Sequence, residues 1–238
     1  MFIDIHHHLV YGVDDGAASF AGTERMIRQA VENRVHAIIT TPHMTPGVEP
    51  FPEAEYRTRL EEIRAWIKAR EIDLTLYPGA EILYTPSTPH MLAEGRVPPL
   101  ADSSLVLVEF LPDCGFEEME NAGKSVARAG YVPVFAHIER CVCLKKPEQV
   151  RRLREACGAL MQVNAKTVLR KRGFFRRRYL NALFENGLVD FVASDSHDLP
   201  GRENRMAEAF TQLCAQYGEG MARALTYENA ERLILHRI

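Results

Sequence analysis

The chain has 238 residues, 46% of them hydrophobic, enough to bury the core of one α/β barrel domain. Its 29 Lys and Arg against 32 Asp and Glu leave a net charge of -3, which excludes the broad electropositive surface of a general nucleic-acid binder. Met1-Phe2-Ile3-Asp4 lacks a basic leader, and no run approaches the roughly 18 apolar residues of a membrane span, so one soluble, cytoplasmic domain over 1–238 is expected.

Short apolar runs alternate with amphipathic segments along the whole chain. Phe2–Ile5 is the first predicted strand, followed by a helix from about Phe20 to Asn33, where Met26, Ile27, Ala30 and Val31 recur at helical spacing. Ala37–Thr41 is the second strand. Pro52 then starts a helix over Glu53–Lys68, with Tyr56, Leu60, Ile63 and Ile67 as its apolar stripe. Further strands are predicted at Leu74–Glu81, Leu105–Phe110, Val132–Ala136, Leu160–Val163 and Val189–Ala193. The intervening helices fall at about 86–94, 116–129, 147–157 and 174–186, with 203–217 and 220–235 at the end. Gly95, Gly130, Gly158, Gly187 and Gly218 stand where helices should stop.

Seven strands alternating with helices predict a parallel sheet closed or nearly closed into a barrel, although an open doubly wound sheet carries the same local pattern. The polar residues favour the barrel. His6 and His8, His43, Glu81, Glu109, His137, and Asp195 with His197 all fall at the C-terminal ends of their strands, the end where barrels gather their chemistry.

His6 and His8 are two apart, so an extended strand points both to one face and His7 to the other. In Val13-Asp14-Asp15-Gly16, an Asx turn accounts for one aspartate and leaves the other free to reach inward. Glu81 and Glu109 end apolar runs, where a carboxylate must be paired or metal-bound to offset its desolvation. Glu81 is the first choice for a carboxylate bridging two cations. Mixed His, Asp and Glu donors favour Mn, Fe or Zn over an all-oxygen Mg or Ca site. Arg140, three residues after His137, and Arg202, five after His197, offer fork-shaped donors to a phosphate ester or, alternatively, to surface carboxylates. His36 and His236 read as helical packing or surface residues, and His90 as a residue on a loop over the barrel mouth.

The five cysteines, at 114, 141, 143, 157 and 214, read as reduced and structural, although Cys141 and Cys143 directly follow Arg140 and could be oxidised there. One residue between them is too few for a CxxC zinc knuckle. No phosphate loop, dinucleotide fingerprint or nucleophile elbow is present. The basic run from Arg170 to Arg178 is either a solvated loop and helix start or a docking surface for an acidic or phosphorylated partner.

The blocks Asp4-Ile5-His6-His7-His8-Leu9-Val10 and Val13-Asp14-Asp15-Gly16 resemble the PHP superfamily, and within it the bacterial protein-tyrosine phosphatases of capsular and exopolysaccharide synthesis. The similarity continues through Tyr77-Pro78-Gly79-Ala80-Glu81-Ile82, Leu107-Val108-Glu109-Phe110, Ala136-His137-Ile138-Glu139-Arg140, Met161-Gln162-Val163-Asn164 and Ala193-Ser194-Asp195-Ser196-His197. The resemblance implies a distorted seven-stranded (β/α)7 barrel of the PHP fold and a trinuclear, commonly manganese-dependent centre. Carried onto this chain, the ligands it implies are His6, His8, Asp15, His43, Glu81, Glu109, His137, Asp195 and His197. Arg140 and Arg202 match the phosphate-handling arginines, and His43 or His197 or a bound water would serve as proton donor. The implied substrate is the phosphotyrosine-containing tail of a bacterial tyrosine kinase, met at the membrane without a transmembrane segment.

His7 departs from a small polar residue common at its position, and Met44-Thr45-Pro46-Gly47 replaces basic residues common after His43. Glu139 is expected to orient Arg140 or His137. The expected reaction is hydrolysis of phosphotyrosine by metal-activated water with no protein nucleophile. Two rivals remain at this point: a PHP phosphoesterase for a small metabolite such as histidinol phosphate or a nucleotide, and a non-catalytic metal-binding protein that docks a kinase.

Overall fold

The computed structural model describes residues 1–169 and 173–235. Nine strand segments occur among them: β1 (Phe2–His7), β2 (Val35–Thr40), β3 (His43–Met44), β4 (Thr75–Tyr77), β5 (Glu81–Leu83), β6 (Leu105–Glu109), β7 (Val132–Phe135), β8 (Leu160–Asn164) and β9 (Phe191–Ala193). All pair in parallel, in the orders β1-β2-β4 and β3-β5-β6-β7-β8-β9.

The nine segments occupy seven barrel positions, because β2 with β3 and β4 with β5 are two strands each broken in the middle. The second predicted strand was expected to end at Thr41; instead it stops at Thr40 and resumes at His43 after Pro42, which has no N–H to give to a ladder. The third was expected to run unbroken from Leu74 to Glu81. It is interrupted at Pro78-Gly79-Ala80, where a Cβ on Gly79 would come within 2.9 Å of Ile39 Cγ2 and 3.1 Å of the Thr40 carbonyl. Tyr56 stitches both breaks: its hydroxyl lies 2.6 Å from Thr40 Oγ1 and accepts from the Gly79 N–H at 3.1 Å.

The ends of the sheet meet. His7 bridges Ser196 in parallel, Asp195 N–H donates to the His6 carbonyl at 3.0 Å, and His8 N–H donates to the Ser196 carbonyl at 3.0 Å. This contact selects the barrel over the open doubly wound sheet. Alternation along the strands splits the core in two. Ile3, Ile5, Ala37, Ile39, Leu105, Leu107, Val134, Ala136, Phe191 and Ala193 form one buried cluster inside the barrel, while their neighbours Ile38, Val106 and Val108 join the cluster under the helices.

The helices are α1 (Phe20–Glu32), α2 (Glu53–Ala69), α3 (Thr88–Ala93), α4 (Phe116–Arg128), α5 (Pro147–Cys157), α6 (Ala165–Leu169), α7 (Phe174–Glu185), α8 (Met206–Tyr217) and α9 (Glu219–Arg223). The short α6 is additional to the expected set. The last expected helix, 220–235, is α9 followed by π-helical turns at Ala224–Glu228 and Glu231–Leu235; Ala230, between the two turns, and Ile234, in the second, pack onto the inner cluster. Of the basic run, Arg170, Lys171 and Arg172 lie outside the described residues, as does His236; Arg176, Arg177 and Arg178 are exposed on α7.

Candidate metal centre

β1 carries His6 and His8 to the barrel mouth, with register shifts along the strand as it bends against β2. The two imidazoles converge as the alternation requires: their Nε2 atoms are 3.1 Å apart. His7 joins none of the donor clusters; its ring is fully buried and its nitrogens have no hydrogen-bond partner. Burial and the neighbouring imidazoles hold it well below the ordinary histidine range, hence neutral.

Glu81 is the centre of the constellation. Its Oε2 lies 3.0 Å from His6 Nε2, 3.2 Å from His8 Nε2 and 3.2 Å from His43 Nδ1, while its Oε1 is 2.9 Å from His137 Nε2. Glu109 Oε1 stands 3.3 Å from the same His137 nitrogen. Asp15 Oδ1 is 3.2 Å from His197 Nε2 and 3.3 Å from His43 Nε2. Asp195 Oδ1 approaches His6, His8 and His197 at 3.7, 3.8 and 3.6 Å. All nine expected ligand residues therefore meet at one mouth. Donor atoms of seven of them fall into three groups, each within 4.8 Å: His6, His8 and Glu81; His43, Glu81 and Glu109; and His8, Asp15, His43 and His197; His137 and Asp195 border these groups through Glu81, Glu109, His6 and His8.

Burial penalises the Glu81 carboxylate, yet His6, His137 and His8 around it outweigh that penalty and hold it well below the usual range. Asp195 is depressed too: burial opposes its charge, but His6, Arg140 and His8 prevail. His8 behaves in the reverse sense. Burial disfavours its charge, but Asp14 and Glu81 push it up to about 10. His197 is lowered to about 4 by burial, His8 and Arg202, so at neutral pH its ring is uncharged and offers a lone pair on one nitrogen.

A row of polar groups behind the donors sets their tautomers. Asp14 Oδ2 lies 2.6 Å from His8 Nδ1, and Asp14 Oδ1 accepts from Gly16 N–H at 2.9 Å, so Asp14 makes the Asx turn and Asp15 reaches inward. Gln162 Oε1 accepts the His137 backbone N–H at 2.7 Å and lies 3.4 Å from His6 Nδ1. Its amide donates to Asn164 Oδ1 at 2.8 Å, and Asn164 Nδ2 donates to Asp195 Oδ2 at 2.7 Å. Asp4 accepts from Ser194 N–H at 2.9 Å and Asn204 Nδ2 at 3.0 Å, pinning the loop that bears Asp195 to β1. The reading of the residues assigned no role to Asp4, Gln162 or Asn164. The signal was available, since a polar side chain inside an apolar strand run needs a partner.

His137 and Asp195 both adopt positive φ, 31° and 53°, a cost that L-residues bear at sites the surrounding structure over-determines. Arg140 donates to Asp195 Oδ2, and Arg202 Nη2 to Asp195 Oδ1 at 2.8 Å; both guanidiniums remain partly open to solvent. Glu139 departs from expectation: its Oε1 accepts the Asn164 N–H at 3.1 Å, tying the end of β8 rather than orienting Arg140 or His137. His90 lies on α3, 75% exposed and 3.1 Å from Glu94, outside the donor groups. His36 sits on β2 beside Tyr227, not on a helix.

The family described as "Capsular polysaccharide synthesis, CpsB/CapC" matches residues 2–235. The tyrosine-protein phosphatase CpsB of Streptococcus pneumoniae is 30% identical over 243 residues, covering 99% of each chain. The tyrosine-protein phosphatase YwqE of Bacillus subtilis is 32% identical over 233 residues, 98% of this chain and 91% of the relative. A solved structure reported with YwqE and CpsB as metal-dependent tyrosine phosphatases superposes with a TM-score of 0.88 at 30% identity, over 99% of this chain and 95% of the other.

Proposed function

This chain belongs to the CpsB/CapC family of capsular polysaccharide synthesis, and from that premise we propose that it is a metal-dependent protein-tyrosine phosphatase acting on a bacterial tyrosine kinase. One observation carries the metal dependence. Glu81 Oε2 is buried with no hydrogen-bond donor, yet three imidazole nitrogens surround it at 3.0 to 3.2 Å. Lone pairs aimed at one small space repel unless a cation or a proton lies between them, and the donor set fits Mn, Fe or Zn.

His6, His8, Asp15, His43, Glu81, Glu109, His137, Asp195 and His197 would hold three divalent ions, of which Mn2+ is the first candidate, with Glu81 shared between groups. When bound, such ions supply Lewis acidity to the phosphoryl oxygens and lower the pKa of the attacking water. Arg140 and Arg202 place two guanidinium forks beside that centre, suited to the nonbridging oxygens of a dianionic ester. His43, whose side chain is 36% exposed, is the donor imidazole open to an entering substrate. His197, held neutral, suits a ligand better than an acid.

No thiol takes the nucleophile's place. Cys143 begins no CxxxxxR loop, and burial and the Cys114 thiol push it up to about 11. The exposed Arg176, Arg177 and Arg178 on α7 form a basic edge for a phosphorylated tail. No described helix is long and apolar enough to cross a membrane, and a cytoplasmic enzyme meeting a membrane-associated kinase is the reading we adopt.

The test is phosphate release from a tyrosine-phosphorylated kinase tail after metal removal and reconstitution with single metals, beside histidinol phosphate and nucleoside monophosphates. Turnover of the peptide only with metal restored is expected. Turnover that survives verified metal removal, or a preference for either small ester, overturns the proposal.

A further inference from the structure

The charges around the barrel mouth are sorted by strand. The loops after β3, β5 and β6 follow adjacent strands, and so do those after β7, β8 and β9. In the first half, residues 44–56, 83–95 and 109–123 contain no Lys or Arg, while Glu49, Asp113, Glu117 and Glu118 are exposed. In the second half, Lys145, Lys146, Arg177 and Arg178 are exposed, and Arg140 and Arg202 stand beside the metal centre. The acidic groups in that half's loops are committed: Asp195 to the two arginines, Asp198 to Arg25, Glu139 to the Asn164 N–H and Glu203 to the Gly201 N–H. Among the described residues, none of Glu49, Asp113, Glu117, Lys145, Lys146, Arg177 or Arg178 takes part in an ion pair, so both halves present unspent charge.

A cavity of about 290 Å³ opens in the acidic half, with Leu83, Tyr84, Phe110, Leu111, Asp113 and Glu118 among its walls and no cation lining it. It adjoins the metal centre, because Leu83 is the register partner of Glu109 and Phe110 its chain neighbour. The Tyr84 and Phe110 rings lie stacked, 5.9 Å apart. Where the halves meet, the Val142 N–H donates to the Pro112 carbonyl at 2.8 Å, and Leu111 and Val142 stand 60% and 57% exposed.

We propose that this rim selects a phosphotyrosine flanked by opposite charges, with Lys or Arg on one side held in the cavity beside Glu109 and Asp or Glu on the other side held over the β7–β9 half. The inference rests on the phosphatase reading above and adds to it the chemistry of the flanking sequence. A Lys or Arg stem matches Leu111 and the aromatic walls, and its cation meets Asp113 and Glu118. Leu111 and Val142 give the residues nearest the phosphotyrosine an apolar ridge. An extended chain advances about 3.3–3.6 Å per residue, so residues three or four away stand roughly 10–14 Å from the phosphotyrosine, outside the space that takes the phosphate. A flank of the wrong sign sets like charges together, which is how a rim discriminates among partners.

The manganese-loaded full chain is given peptides with a central phosphotyrosine and two acidic arms, two basic arms, or one arm of each sign in either order. The better of the two mixed peptides should lead both uniform ones by about tenfold in kcat/KM, through KM, and the lead should shrink at high salt. Unhydrolysed analogues carrying phosphonomethyl-phenylalanine should show the same ranking in Kd by calorimetry. Asp113→Asn with Glu118→Gln removes the cavity's charge, and the glutamine can still accept from the Gly115 N–H as Glu118 does. This variant should bring the mixed peptide down to the level of one whose basic arm is made neutral, with turnover of p-nitrophenyl phosphate unchanged. Asp113→Lys, at an exposed position, should move the optimum to the peptide with two acidic arms. Equal or better use of a uniform peptide by the unmodified chain, or a lead that survives in both variants, overturns the proposal and leaves the phosphatase reading intact. Hydrolysis of small esters with no turnover of any phosphotyrosine peptide overturns both.

Discussion

His8 Nδ1 and Asp14 Oδ2 lie 2.6 Å apart, and this contact holds a ring proton on Nδ1 and turns Nε2 toward Glu81. Carboxylate partners of this kind orient a ligating imidazole and raise its basicity, and losing one typically weakens metal affinity by about 10- to 100-fold. Asp14→Ala should therefore raise the metal concentration needed for half-maximal activity by that factor, with kcat largely recovered at saturating metal. Metal titration of activity measures it. An unchanged midpoint would show that the contact does not set the tautomer.

Gln162 serves two site residues at once, accepting from the His137 N–H and facing His6 Nδ1. It is fully buried, so Gln162→Leu leaves the His137 amide and Asn164 Oδ1 without their partner. An unsatisfied buried polar group costs about 1–3 kcal/mol. Melting should move down correspondingly, and metal affinity should fall because His6 loses its tautomer lock. A melting loss with metal affinity intact would make Gln162 a purely structural residue.

Arg140 and Arg202 take different oxygens of Asp195, which places both guanidiniums on one flank of the cluster. Removing a donor aimed at transition-state charge commonly lowers turnover by about 10²–10³. For Arg140→Ala, that loss in kcat/KM is expected with metal content, measured by elemental analysis, retained. Arg140→Lys should recover only part of it, since an ammonium lacks the bidentate fork. Normal turnover in Arg140→Ala would remove this residue from phosphate handling.

The metal-free chain should show an unusual pH profile. Burial lowers both His8 and His137, but carboxylate partners prevail and raise them to about 10 and about 9. With folded values above the ordinary histidine value of about 6.5, their charged forms stabilise the fold fully below that pH, and the contribution is lost as pH rises through about 9 to 10. The metal-free melting temperature should thus decline from neutral pH toward pH 10, and the metal-loaded chain should lack this decline because cations replace the protons. Calorimetry of both forms tests the difference, and metal binding at neutral pH should release protons. A flat metal-free profile over this window contradicts the assignment.

The alternation of strands and helices was legible because each element carries its own period, and the donors were legible because they end apolar runs at one pole of the barrel. The breaks before His43 and Glu81 were not. Leu74–Glu81 reads locally as one strand, and only the packing of Gly79 against Ile39 and Thr40 shows why it cannot be straight. The break is what delivers Glu81 to the centre while β4 stays paired with β2. Asp4, Gln162 and Asn164 were hidden for a similar reason: a buried polar residue announces that it has partners, and the fold alone says which.

Gly79 tests that link between backbone and metal. A Cβ there meets Ile39 Cγ2 at 2.9 Å and the Thr40 carbonyl at 3.1 Å, so Gly79→Ala must displace the bend two residues before Glu81. Overpacking of this kind costs about 1–3 kcal/mol, and the displaced carboxylate should weaken metal binding as well. Gly158 is the control: its φ is +67° at the end of α5, with open space around the added Cβ. Gly158→Ala should lose about 1 kcal/mol through backbone strain alone and keep its metal affinity. If Gly79→Ala lowers melting as Gly158→Ala does, yet binds metal as the unmodified chain does, the broken strand is not what positions Glu81.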